Sequence, residues 1–341
     1  MAEKILYYLG AGASVKALPL AKTVWDPNDN TEYLIRGLAF DLSHFDWKAI
    51  KVHFSDQDNL IMNTLDRRFK DLAEKADAFG DVDTYAKYLH LMDRGGSELT
   101  ELKKTLSLYF AIKQKFTNAL DSRYLPWLVC VMDQKMIPDN VKILSWNYDY
   151  QLELAAAQIG GTAEDVAHSG AGFSHTPAML TNYPSLDPTF DRFGELSLIH
   201  LNGIAGYLAG DLEGNFQRTA STFQDSYSNL ENLNALYLEK NELKPQLHFA
   251  WEKSHYHKKL MDYVRQMIDR TTILVVVGYS FPFFNREVDK QIFQKLDKLK
   301  KIYYQDPVLD GQHLKSQFGL RDNFRIVHIK NTDNFHVPFE Y

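Results

Sequence analysis

Five short stretches of this 341-residue chain put tiny or polar side chains directly behind apolar runs. In the first, Ile5–Leu9 is followed by Gly10-Ala11-Gly12-Ala13-Ser14. A turn of tiny residues after a strand lets a phosphate reach the backbone, and a following helix aims its N–H groups at the anion. Ser14 would add a hydroxyl. The same turn also serves as a plain strand–helix connection, and Val15 stands where the dinucleotide fingerprint has its third glycine. In the second, "ILSWNYDYQLE", Asn147 and Asp149 follow a strand. Polar groups there face the crevice in which open α/β sheets bind ligands, and they equally resemble a helix cap. In the third, "LSLIHLNG", His200 is a lone histidine among apolar residues. It is either a hydrogen-bonded core side chain or a neutral imidazole able to accept a proton near pH 7. In the fourth, "VVVGYS", Gly278 permits close approach and Ser280 offers a hydroxyl to a phosphate or ribose. In the fifth, "IYYQDP", Asp306 either holds a ribose hydroxyl or starts the turn at Pro307.

The elements that must position these residues are legible from periodicity. Apolar runs predict strands at Ile5–Leu9, Val141–Trp146, Leu196–Leu201, Thr272–Val277, Lys301–Gln305 and Arg325–Ile329. Several lack polar alternation, as parallel strands covered on both faces do. Helical spacing joins Leu65, Phe69, Leu72, Ala76 and Phe79, and again Leu99, Leu102, Leu106, Tyr109 and Phe110. It returns at Leu260, Val264, Met267 and Ile268, and at Val288, Ile292, Leu296 and Leu299. The expected fold is α/β: a Rossmann-like, doubly wound parallel sheet with a helical insertion subdomain. The whole chain, 1–341, reads as one domain, with mainly helical insertions at about 45–135 and 204–270 and loop-like composition over Gly160–Gly194.

Composition narrows the function classes. Lys and Arg number 38 against 44 Asp and Glu, a net charge of −6, which argues against nucleic acid as the main partner. Lys295–Lys301 reads as a solvated helix face. Cys130 is the single cysteine, so no internal disulfide and no multi-cysteine zinc site can form, and its apolar setting reads as a core thiol. No apolar stretch is long enough to span a membrane, and the expected location is the cytoplasm. His168 and His175, His255 and His257, and the turn-like Gly210–Asn215 are weaker clusters. The chain has no Walker-type loop and no Ser-His-Asp signature.

In combination and in this order, the Gly-Ala-Gly-Ala-Ser turn, Asn-Tyr-Asp behind a strand, the strand histidine and Val-Val-Val-Gly-Tyr-Ser resemble the sirtuin superfamily. They look most like its prokaryotic NAD-hydrolase branch, the effectors of antiviral defence systems. The resemblance runs through short islands between Lys4 and Pro307 and implies an NAD-binding sheet beside a helical subdomain. It implies that Gly10, Ala11, Gly12 and Ser14 form a phosphate-binding turn. Asn147 would orient the ribose and water, with Asp149 beside it; His200 would be the active-site histidine; Gly278 and Ser280 would form a second nucleotide turn. The departures have consequences. The four zinc cysteines of the deacylases are absent, and Leu18-Pro19-Leu20-Ala21-Lys22 lacks their acidic-Phe-Arg segment. His200-Leu201-Asn202-Gly203 replaces a direct His-Gly, and Ser145-Trp146 replaces Thr-Gln.

The implied activity is cleavage of the nicotinamide–ribose bond of NAD to nicotinamide and ADP-ribose, with NAD as substrate and no metal. Because the leaving group departs neutral, the protein needs chiefly a rigid seat and a group that aligns water. Asn147 would supply the hydrogen bonds and His200 the base. The resemblance also implies a homo-oligomer and a sensor on another chain, a HerA-like ATPase or an Argonaute-like module. An NAD-dependent deacylase and a non-catalytic nucleotide sensor are the alternatives.

Overall fold

The computed structural model describes residues 3–25, 34–51, 59–92, 96–117, 119–133, 137–160, 182–183, 197–210, 243–252, 255–319 and 325–341. Strand β1 (Ile5–Leu9) is buried at every position and is the centre of the fold. It is followed by an antiparallel pair, β2 (Val24–Trp25) and β3 (Leu34–Ile35). Six helices come next: α1 (Leu38–Ser43), α2 (Trp47–Ile50), α3 (Asn59–Phe79), α4 (Val82–Met92), α5 (Ser97–Phe116) and α6 (Tyr124–Val131). The chain continues through β4 (Val141–Ser145), α7 (Gln151–Gly160), β5 (Asn182–Tyr183) and β6 (Leu198–His200). A second antiparallel pair, β7 (Gly203–Gly210) and β8 (Leu243–Leu247), leads into α8 (His255–Met267). The last elements are β9 (Ile273–Val277), α9 (Arg286–Phe293), β10 (Lys301–Gln305), α10 (His313–Phe318) and β11 (Arg325–Ile329).

Seven strands form one sheet in the order β11-β10-β9-β1-β4-β6-β5, and each neighbouring pair is parallel. Alternate residues of β1 serve opposite faces. Ile5, Tyr7 and Leu9 pack with α6 and α7, while Leu6 and Tyr8 pack with α8 and α9. Helices on both faces make the fold a doubly wound, Rossmann-like α/β sheet. Helices α1, α3, α4 and α5 carry a separate apolar core that also takes in Leu247 of β8 and Phe249. From β1 the order runs one way through β4 and β6 and the other way through β9 and β10. The reversal point, where such sheets bind ligands, is the crevice outside the carboxyl ends of β1 and β9.

Of 204–270, the described residues form β7, β8 and α8, with β7 paired to β8 and packed on α5. Two expectations change. Cys130 is exposed, not core: α6 buries Tyr124, Trp127, Leu128 and Val131, and the intervening position faces outward. The edge strand β5 lies within the segment read as loop. The rest of 161–194, with His168 and His175, lies outside the described residues, as do Asp211–Asn215 and the side chain of His255. No helix among the described residues is long and apolar enough to cross a membrane.

Candidate functional site

The turn after β1 is fixed by the turn after β9. Gly10 N–H donates to the Val277 carbonyl at 3.0 Å, Gly12 N–H to the Gly278 carbonyl at 2.9 Å, and Ala13 N–H to the Gly10 carbonyl at 2.8 Å. The two backbones nearly touch. A Cβ on Gly12 would lie 2.7 Å from Gly278 Cα, and one on Gly10 would lie 2.6 Å from Tyr279 Cβ. Gly278 itself has φ +57°, a left-handed conformation that favours glycine. Close packing of two turns therefore explains the glycines. The packing role stands beside the phosphate-cradle expectation for Gly10, Ala11, Gly12 and Ser14. Three N–H groups are spent inside the protein, and only a four-residue 3-10 helix, Ala11–Ser14, follows.

Ser14 turns inward and becomes the hub of a buried polar chain. Its Oγ lies 3.0 Å from the Tyr124 hydroxyl and receives Asn147 Nδ2 at 3.2 Å. The same hydroxyl lies on the side of the Asp149 carboxylate and helps to hold it ionised. Tyr124 and Asn147 thus engage the Ser14 hydroxyl within the protein. Asp149 accepts Gln151 N–H at 3.2 Å, which caps the start of α7. Burial pushes the Asp149 carboxyl up to about 6, against the opposing pull of Ser14, of its bond to Gln151 and of His200. The capping and chemical readings of Asp149 thus fall on one side chain.

His200 ends β6, only 2% exposed, and both its ring nitrogens have partners. Nε2 lies 2.7 Å from Glu153 Oε1 of α7, and Nδ1 lies 3.3 Å from the Asn147 carbonyl oxygen. Burial disfavours the imidazolium. The Glu153 charge and hydrogen bond, joined by the Asn147 carbonyl and Asp149, outweigh it and raise the ring's pKa above the usual histidine value. A neutral imidazole therefore appears only at higher pH than the sequence suggested. Asn147, Asp149, Ser14 and His200, drawn from three strand ends, do come together.

The other candidates fare differently. Ser280 is exposed beside the glycine contact. Asp306 Oδ1 accepts the backbone N–H groups of Val308 and Leu309 at 2.8 and 2.7 Å, so the side chain starts the turn at Pro307. Sequence reasoning missed Glu153, Tyr124 and the buried pair Asp121–Arg123. Arg123 Nη2 donates to Asp121 at 2.6 Å and to the carbonyls of Gly12 and Ala13 at 3.0 Å each. Glu153 left a signal, an acid amid the apolar Leu152, Leu154, Ala155 and Ala156.

No protein-family model and no curated protein matches the chain. Among solved structures, one of Sir2Tm bound to a propionylated peptide covers 90% of this chain and 83% of that chain at 8% identity, with a TM-score of 0.31. A superposition that loose assigns neither fold nor residues; strand order and side chains do.

Proposed function

We propose that this protein binds NAD at the crevice outside β1 and β9 and hydrolyses the nicotinamide–ribose bond, giving nicotinamide and ADP-ribose. One observation carries the reading: Ser14, Asn147 and His200 leave the ends of β1, β4 and β6 as a hydrogen-bonded chain, with Asp149 capping α7 beside it, near the point where strand order reverses. Gly10, Gly12 and Gly278 give that crevice a floor without side chains, and Ser280 is the exposed hydroxyl beside it. Asn147 orients the ribose and the attacking water, and His200 takes the water's proton. The sequence islands extend the reading to an NAD-depleting effector of a prokaryotic defence system. It would act in the cytoplasm as a homo-oligomer, under a sensor carried on a separate chain.

The test is nicotinamide release from NAD by the purified protein, alone and mixed with the products of neighbouring genes. The expected result is release by the wild type and a loss of about 10²–10⁴-fold in His200→Ala and in Asn147→Ala, measured on variants that circular dichroism shows to be folded. Release at the wild-type rate by His200→Ala sinks the assignment. The burial of His200 and the engagement of both its nitrogens favour a second reading, a nucleotide sensor. Under that reading calorimetry detects NAD binding while the dinucleotide stays whole in every assembly.

A further inference from the structure

The contact between His200 and Glu153 is the tightest in the polar chain, and the two nitrogens of the ring are held unequally. Nε2 sits 2.7 Å from a carboxylate oxygen, both side chains being 2% exposed or less. Nδ1 sits 3.3 Å from a backbone carbonyl, near the limit of a hydrogen bond. When a carboxylate holds one ring nitrogen, the proton stays on that nitrogen and the other becomes the basic one. Here the weakly held nitrogen is on the Asn147 side, where β4 ends.

We infer that Glu153 is the positioning residue of the site: it keeps the His200 proton on Nε2 and leaves Nδ1, facing Asn147, as the nitrogen that accepts a proton. This rests on the NAD-hydrolysis reading above. In the reaction the C1′–nitrogen bond breaks with its electron pair going to nicotinamide, which leaves neutral. Water oxygen bonds to C1′, its proton passes to Nδ1, and the imidazolium returns that proton to solvent. Nδ1–H first has to be lost from its bond to the Asn147 carbonyl, so hydrolysis rises with pH as the imidazolium deprotonates. The charged groups facing the ring are Glu153 on α7 and Asp149 ahead of it; Tyr124 of α6 faces Asp149 and also the Asp121–Arg123 pair. Replacing Glu153 with Gln removes the nearest negative charge, and its amide can donate to Nε2. That pushes the ring proton to Nδ1 and blocks the base.

The decisive measurement is a long-range proton–nitrogen NMR titration of the histidines, with His200→Gln used to assign the signal. In the wild type, His200 should titrate above an ordinary histidine and carry its proton on Nε2 in the neutral form. In Glu153→Gln the midpoint should fall and that tautomer should be lost. A neutral wild-type ring protonated on Nδ1, or a titration unmoved by Glu153→Gln, overturns the inference. If Glu153→Gln fails to fold, the wild-type tautomer alone decides. In turnover, Glu153→Gln should lower kcat by about 10²–10⁴-fold with KM for NAD little changed, and move the acid limb of kcat/KM to lower pH. A Glu153→Gln protein with wild-type kcat and pH profile also overturns it. A wild type that never cleaves NAD removes the hydrolase reading only, and the NMR result then stands by itself.

Discussion

Each residue of Asn147-Tyr148-Asp149 serves a different neighbour. Asn147 reaches back to Ser14, Tyr148 packs its ring near Phe110 and Phe249 of the helical core, and Asp149 caps α7. The stretch thereby joins the sheet, the helical layer and the α6–α7 face in three residues. Arg123 does similar work behind the turn after β1. Its guanidinium is 3% exposed, pairs with the fully buried Asp121, and also donates to Thr332 in the segment after β11 at 3.2 Å. Removing one partner of a buried pair leaves an uncompensated charge, which costs far more than the pair itself contributes. Arg123→Ala should therefore lose about 3–5 kcal/mol of stability, read as a shift of the urea midpoint. A shift within that of a surface substitution would mean the guanidinium is not a strut. Asp121 stands two positions from Arg123 within "LDSRYLPW", but the struts to Ala13 and Thr332 were not legible there, because those partners lie 110 and 209 positions away. What was legible at this scale was the identity of the polar residues at strand ends, not which neighbour each would choose.

At the scale of elements, all six expected strands form, within one or two residues of their expected ends. Continuous apolar runs such as Ile273–Val277 are unambiguous once both faces are covered. The pairing of β7 with β8 was not readable, since hairpin partners 33 residues apart give no local signal. The glycine turns were recognised as ligand turns, and the structure adds a packing reason of its own: they allow two strand-end turns to pack backbone to backbone. This distinction is testable. At Gly278 a Cβ would meet Gly12 C at 2.4 Å and also hold a φ of +57°, whereas Gly319, at φ +59°, has nothing within 4 Å. Gly319→Ala should cost about 1 kcal/mol, the left-handed penalty alone, and Gly278→Ala distinctly more, about 3 kcal/mol. Equal midpoints for the two variants would show that the turns do not need their close approach.

The whole molecule carries an unusual set of buried acids, and they fix how its stability depends on pH. Asp289 of α9 is fully buried, accepting Tyr8 Oη at 2.5 Å and Tyr279 Oη at 3.0 Å, while Trp146 Nε1 donates to Tyr8 Oη at 2.9 Å. It ties β1, the end of β4 and the turn after β9 to one helix. Burial pushes its carboxyl up to about 7, despite the hydrogen bonds that favour the anion. Burial likewise lifts Asp149 to about 6, and desolvation with the neighbouring Asp81 charge lifts the half-buried Asp83 to about 7. In each case the folded state holds a proton that the unfolded chain has already released, so stability falls as pH rises up to the folded value. His200 adds to the same trend: its raised pKa makes its contribution full below the ordinary histidine value and lost as pH climbs through the folded one. His248 opposes it. Burial, with Lys103 and His257, lowers its ring to about 3, so its part of stability grows from there to the unfolded value of 6.5 and is then constant. Above 6.5 the opposition from His248, and from His336, whose pKa burial also lowers, fades as the unfolded histidines deprotonate, and the trend belongs to Asp289, Asp83 and His200. The melting midpoint should therefore fall between pH 6.5 and 8. Asp289→Asn should flatten the fall by an amount bounded by about 1.4 kcal/mol per pH unit over the range where Asp289 titrates. A midpoint that climbs across this interval, or an Asp289→Asn protein with the wild-type slope, would show that the carboxyl under the Gly278 turn is already ionised when folded.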